Sequence, residues 1–153
     1  MLKSASYKGQ TSIEAAMLFS FMVLALTVFL LVIGNQYVTA QENRLRAQLK
    51  DVTAMIETEL SLGVTSQNGY YRQFEIPNLA GGVPFSIQFL NSQQLGPPGS
   101  PANYSEVILS FQNSSVQFET YIYLPDNVDG NISHGQVEVK KQNGLLYIRN
   151  TTG

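Results

Sequence analysis

The chain lacks cysteine entirely, contains a single histidine and carries few charges for its 153 residues. Without cysteine it can form no disulfide framework and has no thiolate for zinc binding or nucleophilic chemistry. The one histidine, His134, stands in an Ile-Ser-His-Gly context that predicts a solvated turn residue, because no second histidine can join it in a metal site. The sequence contains no nucleophile elbow, phosphate-binding loop or paired carboxylates, so it predicts neither an enzyme nor a bound cofactor or metal.

One segment, Asp126–Asn131, gathers oxygen-bearing side chains around Gly130. Val128 breaks the alternate ligand spacing that a calcium loop requires, and no glutamate follows at the closing position. The segment therefore predicts an Asx-type turn after Pro125 rather than a cation site.

Charge is also absent from the nineteen residues between Ala15 and Ile33, which are predominantly apolar. A helix that rises about 1.5 Å per residue needs roughly 20 residues to cross a hydrocarbon core of about 30 Å, so this run can span a membrane. It exceeds the roughly 7 to 15 apolar residues of a cleaved secretory signal, and Gly34–Tyr37 does not resemble a signal peptidase site. The run therefore predicts a helix that stays in the mature protein.

Lys3 and Lys8 are the only charged residues before Glu14. Because Lys and Arg are enriched on the cytoplasmic side of membrane helices, the N-terminus is expected in the cytoplasm and the chain after Ile33 outside the cell. With a net charge of -2, the chain has no basic surface for nucleic acid beyond its first nine residues. The Asn-x-Ser/Thr sequences that can accept an N-linked glycan begin at Asn103, Asn113, Asn131 and Asn150.

Proline is absent from residues 11–62, and Gly34 is the one glycine there. After the apolar run, hydrophobic residues recur at spacings of three, four and seven, which indicates one stripe of an amphipathic helix. The simplest interpretation is a single helix from Gln10 to Leu62 that ends at Gly63. The predicted stripe consists of Val38, Leu45, Leu49, Val52, Ile56 and Leu60.

Beyond Gly63, alternating apolar and polar residues replace the helical pattern, which is typical of half-buried strands. Asn143-Gly144 between two such runs predicts a two-residue hairpin, and a second hairpin is expected around residues 112–115 with Asn113 at its tip. We expect an α+β domain of four to six antiparallel strands, with one face covered by the helix stripe. The alternating runs are 85–89, 105–111, 116–124, 136–140 and 145–149.

Residues 8–18, KGQTSIEAAML, resemble the class III signal motif of archaeal type IV pilin-like proteins. In that family a short basic leader ends in glycine, cleavage falls before a glutamine, and a glutamate is fifth in the mature chain ahead of an apolar helix. The resemblance implies a cleaved cytoplasmic leader (1–9), a long helix (10–62) with its membrane or filament-core part at 15–33, and an extracellular β-rich domain (63–153). The implied processing site consists of Lys8, Gly9 and Gln10.

The resemblance also implies an assembly route. A prepilin-type signal peptidase would cut the membrane precursor, and an assembly platform with its ATPase would move the mature chain into an extracellular filament of identical or related pilin subunits that serves adhesion. Glu14 is implied as the assembly residue, because a buried carboxylate needs a partner such as the α-amino group of a neighbouring Gln10. Two alternatives stay open: an archaellum-type or pseudopilin subunit, and a single-span membrane protein that never polymerises and whose outer domain binds a ligand.

Overall fold

The computed structural model describes residues 4–111 and 117–151, with side chains from residue 12 onward. Within these ranges a long helix, α1 (Ser4–Thr65), precedes eight strands and one short helix. The architecture is α+β, with one long N-terminal helix and sheets that are antiparallel apart from one parallel pair, as expected for a pilin-like fold. The elements after α1 are β1 (Tyr71–Ile76), β2 (Leu79–Ala80), β3 (Val83–Leu90), α2 (Ser92–Leu95), β4 (Tyr104–Phe111), β5 (Glu119–Pro125), β6 (Val128–Gly130), β7 (Gly135–Gln142) and β8 (Leu145–Asn150).

The chain divides into two compact units between residues 41 and 42. In the first unit, α1 exposes its side chains from residue 12 to residue 41. Two hydroxyl groups in the apolar run bond the backbone of their own helix: Ser20 Oγ donates to Ala16 O at 2.9 Å, and Thr27 Oγ1 donates to Val23 O at 2.8 Å. These bonds satisfy both hydroxyl donors without a second element.

In the second unit, the rest of α1 packs on the sheets through the predicted stripe. Leu49, Ile56 and Leu60 are completely buried, whereas Val38 lies in the first unit and is exposed. Thr53 lies on the same buried side of the helix. Its Oγ1 donates a hydrogen bond to Leu49 O at 2.8 Å, so the buried hydroxyl has a hydrogen-bond partner. The strand and loop residues of the same core are Ile76, Ala80, Phe85, Val107, Leu109, Ile122, Leu124, Val128, Ile132, Val137, Val139, Leu146 and Ile148.

The strands form two four-stranded sheets, ordered β1-β7-β8-β6 and β2-β3-β4-β5. The predicted antiparallel pairing is confirmed for β3 with β4, β4 with β5, β1 with β7, and β7 with β8. It is wrong for β6, which runs parallel to β8 with Val128 opposite Leu146. The expected four to six strands were too few because β2 and β6, with two and three residues, are too short to show alternation.

The predicted hairpin at Asn143-Gly144 is confirmed. Both residues have positive φ, 51° and 80°, as a type I′ turn requires, and Gln142 pairs with Leu145. The other predicted hairpin joins β4 to β5, but its tip, with Asn113, lies outside the described residues.

The predicted helix bounds were too narrow, because α1 begins at Ser4 and ends at Thr65. The expectation that Gly63 ends the helix is wrong. A Cβ at Gly63 would lie 2.9 Å from both Leu146 Cδ1 and Val139 Cγ1, so the glycine lets α1 approach β7 and β8 closely. The C-terminal end of α1 is stabilised instead by the Lys141 ammonium group, which donates to a carbonyl of the last turn.

Candidate functional site

The apolar run of α1 is the largest exposed hydrophobic feature of the described chain. Fifteen large apolar side chains between Ile13 and Ile33 are exposed, from 45% at Ile33 to 70% at Phe19. Burying one such side chain is worth about 1.5 to 3 kcal/mol, so leaving them all in water costs on the order of 20 kcal/mol. That exceeds the net stability of about 5 to 15 kcal/mol of a typical domain. The run therefore needs an apolar environment that the described chain does not itself provide.

One helix in the described part of the chain, near its N-terminus, is long and apolar enough to cross a membrane. No Asp, Glu, Lys or Arg occurs between Glu14 and Glu42, so the two carboxylates mark the ends of the uncharged stretch. A helix that is apolar on all sides fits a bilayer or the interior of a helix bundle, and α1 has this character only in its first unit.

The N-terminal flank holds the residues that the sequence predicts for processing. Lys8, Gly9 and Gln10 belong to the backbone of α1, and their side chains lie outside the described part. Glu14 follows on the same helix with an exposed side chain. Positions 10 and 14 are four residues apart, which separates them by about 6 Å along the helix axis.

His134 is not the solvated turn residue that the sequence predicts. The ring is half-buried, with Nδ1 2.9 Å from Pro77 O and Nε2 2.8 Å from Phe85 O, and it packs edge-on against the Phe85 ring at 4.6 Å. Its partners are more than forty residues away in sequence, so no local pattern indicates this contact. Each ring nitrogen lies within hydrogen-bonding distance of a backbone oxygen, and whichever nitrogen carries the proton donates to the oxygen that it faces. The imidazole therefore lies between the β1–β2 connection, β3 and the segment before β7.

The predicted glycan acceptors differ in accessibility. Asn103 and Asn131 are exposed, whereas Asn150 is half-buried. The Asn150 Oδ1 accepts from Ser133 N at 2.8 Å, and its Nδ2 donates to Ser133 O at 3.0 Å and to His134 O at 3.3 Å. A glycan replaces one of the two Nδ2 hydrogens, so at least one of the two donated bonds would be lost in the folded domain.

The outer side of β4 and β5 carries a cluster that we call the tyrosine face: Tyr104, Glu106, Glu119, Tyr121 and Tyr123. The rings of Tyr104 and Tyr123 meet edge to face with centroids 5.8 Å apart, and Glu106 pairs with Tyr123 in the strand register. The Tyr121 hydroxyl donates to Glu119 Oε2 at 2.7 Å. This bond and the charge of Glu119 raise the pKa of Tyr121 above its ordinary value of 10.0.

The outer side of β7 and β8 contains a recess of about 330 Å³, which we call the cationic recess, lined by Glu138, Lys140, Gln142, Tyr147 and Arg149. Lys140 pairs with Tyr147, and Glu138 pairs with Arg149. Among the described side chains, one ion pair lies within 4.0 Å, and it joins Arg72 to Glu59. Lys140 and Arg149 therefore have no described carboxylate within that distance. Sequence reasoning missed this recess, although the Asn143-Gly144 hairpin already fixes the register that creates it.

Comparison of the chain with protein-family models, with curated proteins and with solved structures finds no match. Its function is therefore inferred from three features: the motif at residues 8–18, the uniformly apolar first unit and the self-contained second unit.

Proposed function

We propose that the chain is a structural subunit of an extracellular type IV pilus-like filament, made as a membrane precursor and assembled through the first unit of α1. The observation that carries this proposal is the exposure of apolar side chains on every side of that unit. A precursor needs this surface in a lipid bilayer, and a filament subunit needs the same surface in a bundle of helices. One segment thus serves two successive apolar environments.

The motif at residues 8–18 supports processing before assembly. Cleavage after Gly9 would remove the leader and create a new α-amino group on Gln10. In a dry bundle the Glu14 carboxylate needs a paired donor, and we assign that donor to Gln10 of a neighbouring subunit. Adhesion is the activity we propose for the filament, as in the archaeal family that the motif resembles.

Processing is tested with two glycine substitutions in the same helix. Gly9→Val should leave a full-length precursor in the membrane, because the proposed peptidase requires glycine before the cut. The matched variant Gly34→Val changes the other glycine of the first unit and should still yield a chain that starts at Gln10. Normal maturation of Gly9→Val, measured by intact mass, would contradict the assignment.

Assembly is tested at Glu14. Glu14→Ala should be cleaved normally and remain in the membrane without forming filaments, because its side chain can no longer pair with Gln10 of a neighbour. Glu42→Ala removes the next carboxylate of α1, outside the apolar run, and should assemble. Filaments of normal number and length from Glu14→Ala would remove this residue from the mechanism.

The archaellum-type and pseudopilin alternatives share the processing step and differ in the machine that they build. The non-polymerising alternative is favoured by the cationic recess, which could receive a ligand. It predicts a chain that stays in the membrane fraction as single copies.

We also propose glycans on Asn103 and Asn131, and none on Asn150, since Asn150 alone among the acceptors that the structure describes has an amide bonded inside the fold. The native mass should therefore fall by one glycan in Asn131→Gln and stay unchanged, apart from the substitution, in Asn150→Gln. A glycopeptide that contains a modified Asn150 would contradict this assignment.

A further inference from the structure

We propose that the outer domains of successive subunits contact each other through two different surfaces, the tyrosine face of one copy and the cationic recess of the next. This inference rests on the proposed function, which supplies the second copy.

The two surfaces have complementary charge. Residues 73–139 contain no lysine or arginine, so strands β2 to β6 carry no cation, while Glu106 and Glu119 lie on the tyrosine face. Arg46 and Lys50 of α1 lie over the ring of Phe118, which precedes Glu119, at 5.3 and 5.8 Å from its centroid.

The cationic recess itself presents Lys140 and Arg149 around one carboxylate, Glu138. Two further carboxylates lie at the edges of the same sheet face, Asp129 in register with Tyr147 and Glu75 in register with Gln136, so the positive charge is confined to the recess. Opposite charges in facing patches orient two proteins and reject like-charged pairings.

The chemistry of the contact matches on both sides. A carboxylate from the tyrosine face can accept hydrogen bonds from the Lys140 ammonium group and from the paired N–H groups of the Arg149 guanidinium. The exposed rings of Tyr121 and Tyr123, 46% and 67% accessible, offer aromatic faces to the same cations and supply the residue type most enriched in protein interfaces. A recess of about 330 Å³ has room for protruding side chains, as the smaller protein pockets do.

The two surfaces cannot meet within one copy. Val107 and Ile122 on the inner side of one sheet and Val139 and Ile148 on the inner side of the other belong to a single core. Side chains alternate across a strand, so the tyrosine face and the recess both lie on the sides of their sheets that face away from this core. A contact between them therefore requires a second copy of the chain.

Because the two surfaces differ, the contact is heterologous. Each copy that uses its recess keeps its tyrosine face available for another copy. Such contacts continue into open helical arrays whenever their rotation does not close a ring. The outer domains would thus reinforce the same filament that the apolar helices build.

The absence of cysteine makes the contact testable by cross-linking in the full chain. Gln88 is exposed on β3 beside the tyrosine face, and Gln142 lines the recess. Because glutamine is uncharged, replacing either residue by cysteine removes no charge from the contact. Filaments of the double variant Gln88→Cys/Gln142→Cys, treated with a short bis-maleimide, should give a ladder of covalent oligomers well beyond the dimer. Each single variant should give monomers only, because the contact joins two different surfaces.

The matched control is Gln93→Cys/Gln142→Cys, which moves one thiol to the exposed side of α2 and should give no ladder. Adding Lys140→Glu to the reactive pair should cut the ladder on the order of tenfold, and adding Glu106→Lys to that variant should restore most of it. A structural defect from Lys140→Glu would not be repaired by a charge change on the other sheet.

The outcomes separate this inference from the proposed function. Filaments without a ladder, or dimers from one single variant, overturn the contact and leave the filament proposal intact. A surface fraction that contains no filaments of the unmodified chain overturns both. Retention on a uronic acid polymer that Lys140→Glu abolishes, without a ladder, assigns the recess to a soluble carboxylate ligand and also overturns the contact.

Discussion

Leu31 and Leu49 are the same residue type in the same helix, yet Leu31 is 65% exposed and Leu49 is fully buried. The two units of α1 thus share a backbone conformation and differ in packing. The helix forms in both because no proline interrupts it and about half of its residues are strong helix formers such as Ala, Leu, Gln and Glu. Packing follows the period of the apolar pattern. A helix with one apolar stripe needs to bury one side, whereas a helix that is apolar all round needs an apolar environment on every side.

The largest effect is expected when charged residues are placed in the apolar run, which tests the difference between the two units directly. The double variant Leu24→Lys/Leu31→Lys places two cations seven residues apart in the first unit. Each costs about 2.5 to 3.5 kcal/mol in a bilayer interior, so the chain should leave the membrane pellet after alkaline extraction.

Its matched control is Ala54→Lys/Ser61→Lys, with the same spacing on the exposed side of the second unit. This variant should remain in the pellet like the unmodified chain. Equal membrane retention of both double variants would contradict the difference between the units.

A smaller effect tests the same comparison with one substitution type. Leu49→Ala should destabilise the outer domain by about 2 to 5 kcal/mol, because it removes packed methyl groups and leaves a cavity. Leu31→Ala should change the free energy of unfolding of that domain by less than about 0.5 kcal/mol, as surface substitutions do. Urea unfolding of the full chain in detergent, followed by tyrosine circular dichroism, measures both, and equal losses would contradict the difference between the two leucines.

Two of the glycines of α1, Gly34 and Gly63, should respond to alanine with opposite signs. Gly34 has nothing within 4 Å of an added Cβ, so Gly34→Ala should stabilise the helix by up to about 1 kcal/mol. At Gly63 the new Cβ would meet Leu146 and Val139, and overpacking costs about 1 to 3 kcal/mol. Gly63→Ala should therefore lower the thermal midpoint of the outer domain. A higher midpoint would show that the Leu146 and Val139 side chains repack around the new methyl group at little cost.

The smallest effect concerns Tyr121, whose pKa Glu119 raises. Because the folded pKa lies above the unfolded one, the protonated phenol contributes stability below the unfolded pKa, and this contribution is lost as the pH rises through the folded pKa. Glu119→Gln should lower the pKa of Tyr121, seen by NMR titration of the tyrosine ring carbons. Glu138→Gln, on the other sheet, should leave it unchanged, and an unchanged pKa in Glu119→Gln would contradict the stated cause.

Sequence patterns predicted the features that depend on neighbours along the chain. The stripe residues Leu49, Ile56 and Leu60 were recognisable because helical spacing alone places them on one side. Asn143-Gly144 was recognisable because a tight turn with positive φ favours these residue types.

Features that depend on distant partners were not predictable in this way. The three residues of β6 show no alternation, so their parallel pairing with β8 has no local signal. Gly63 was interpreted as a helix stop because the close approach of Leu146 lies more than eighty residues downstream. His134 was interpreted as solvated for the same reason, since its carbonyl partners come from residues 77 and 85.

The candidate site divides in the same manner. The apolar run and Glu14 are evident from composition and position, since a charge at the end of an uncharged run stands out in any window. The cationic recess needs Lys140 and Arg149 placed on one side of two paired strands, which follows only when the hairpin register is combined with the pleat.

The most direct test of the central claim is mass spectrometry of the protein in filaments sheared from the cell surface and imaged by electron microscopy. The account predicts filaments built of a chain that begins at Gln10, with residues 1–9 removed. The account would be contradicted by a chain that occurs only in the membrane fraction and that either keeps Met1 or is cut elsewhere than between Gly9 and Gln10.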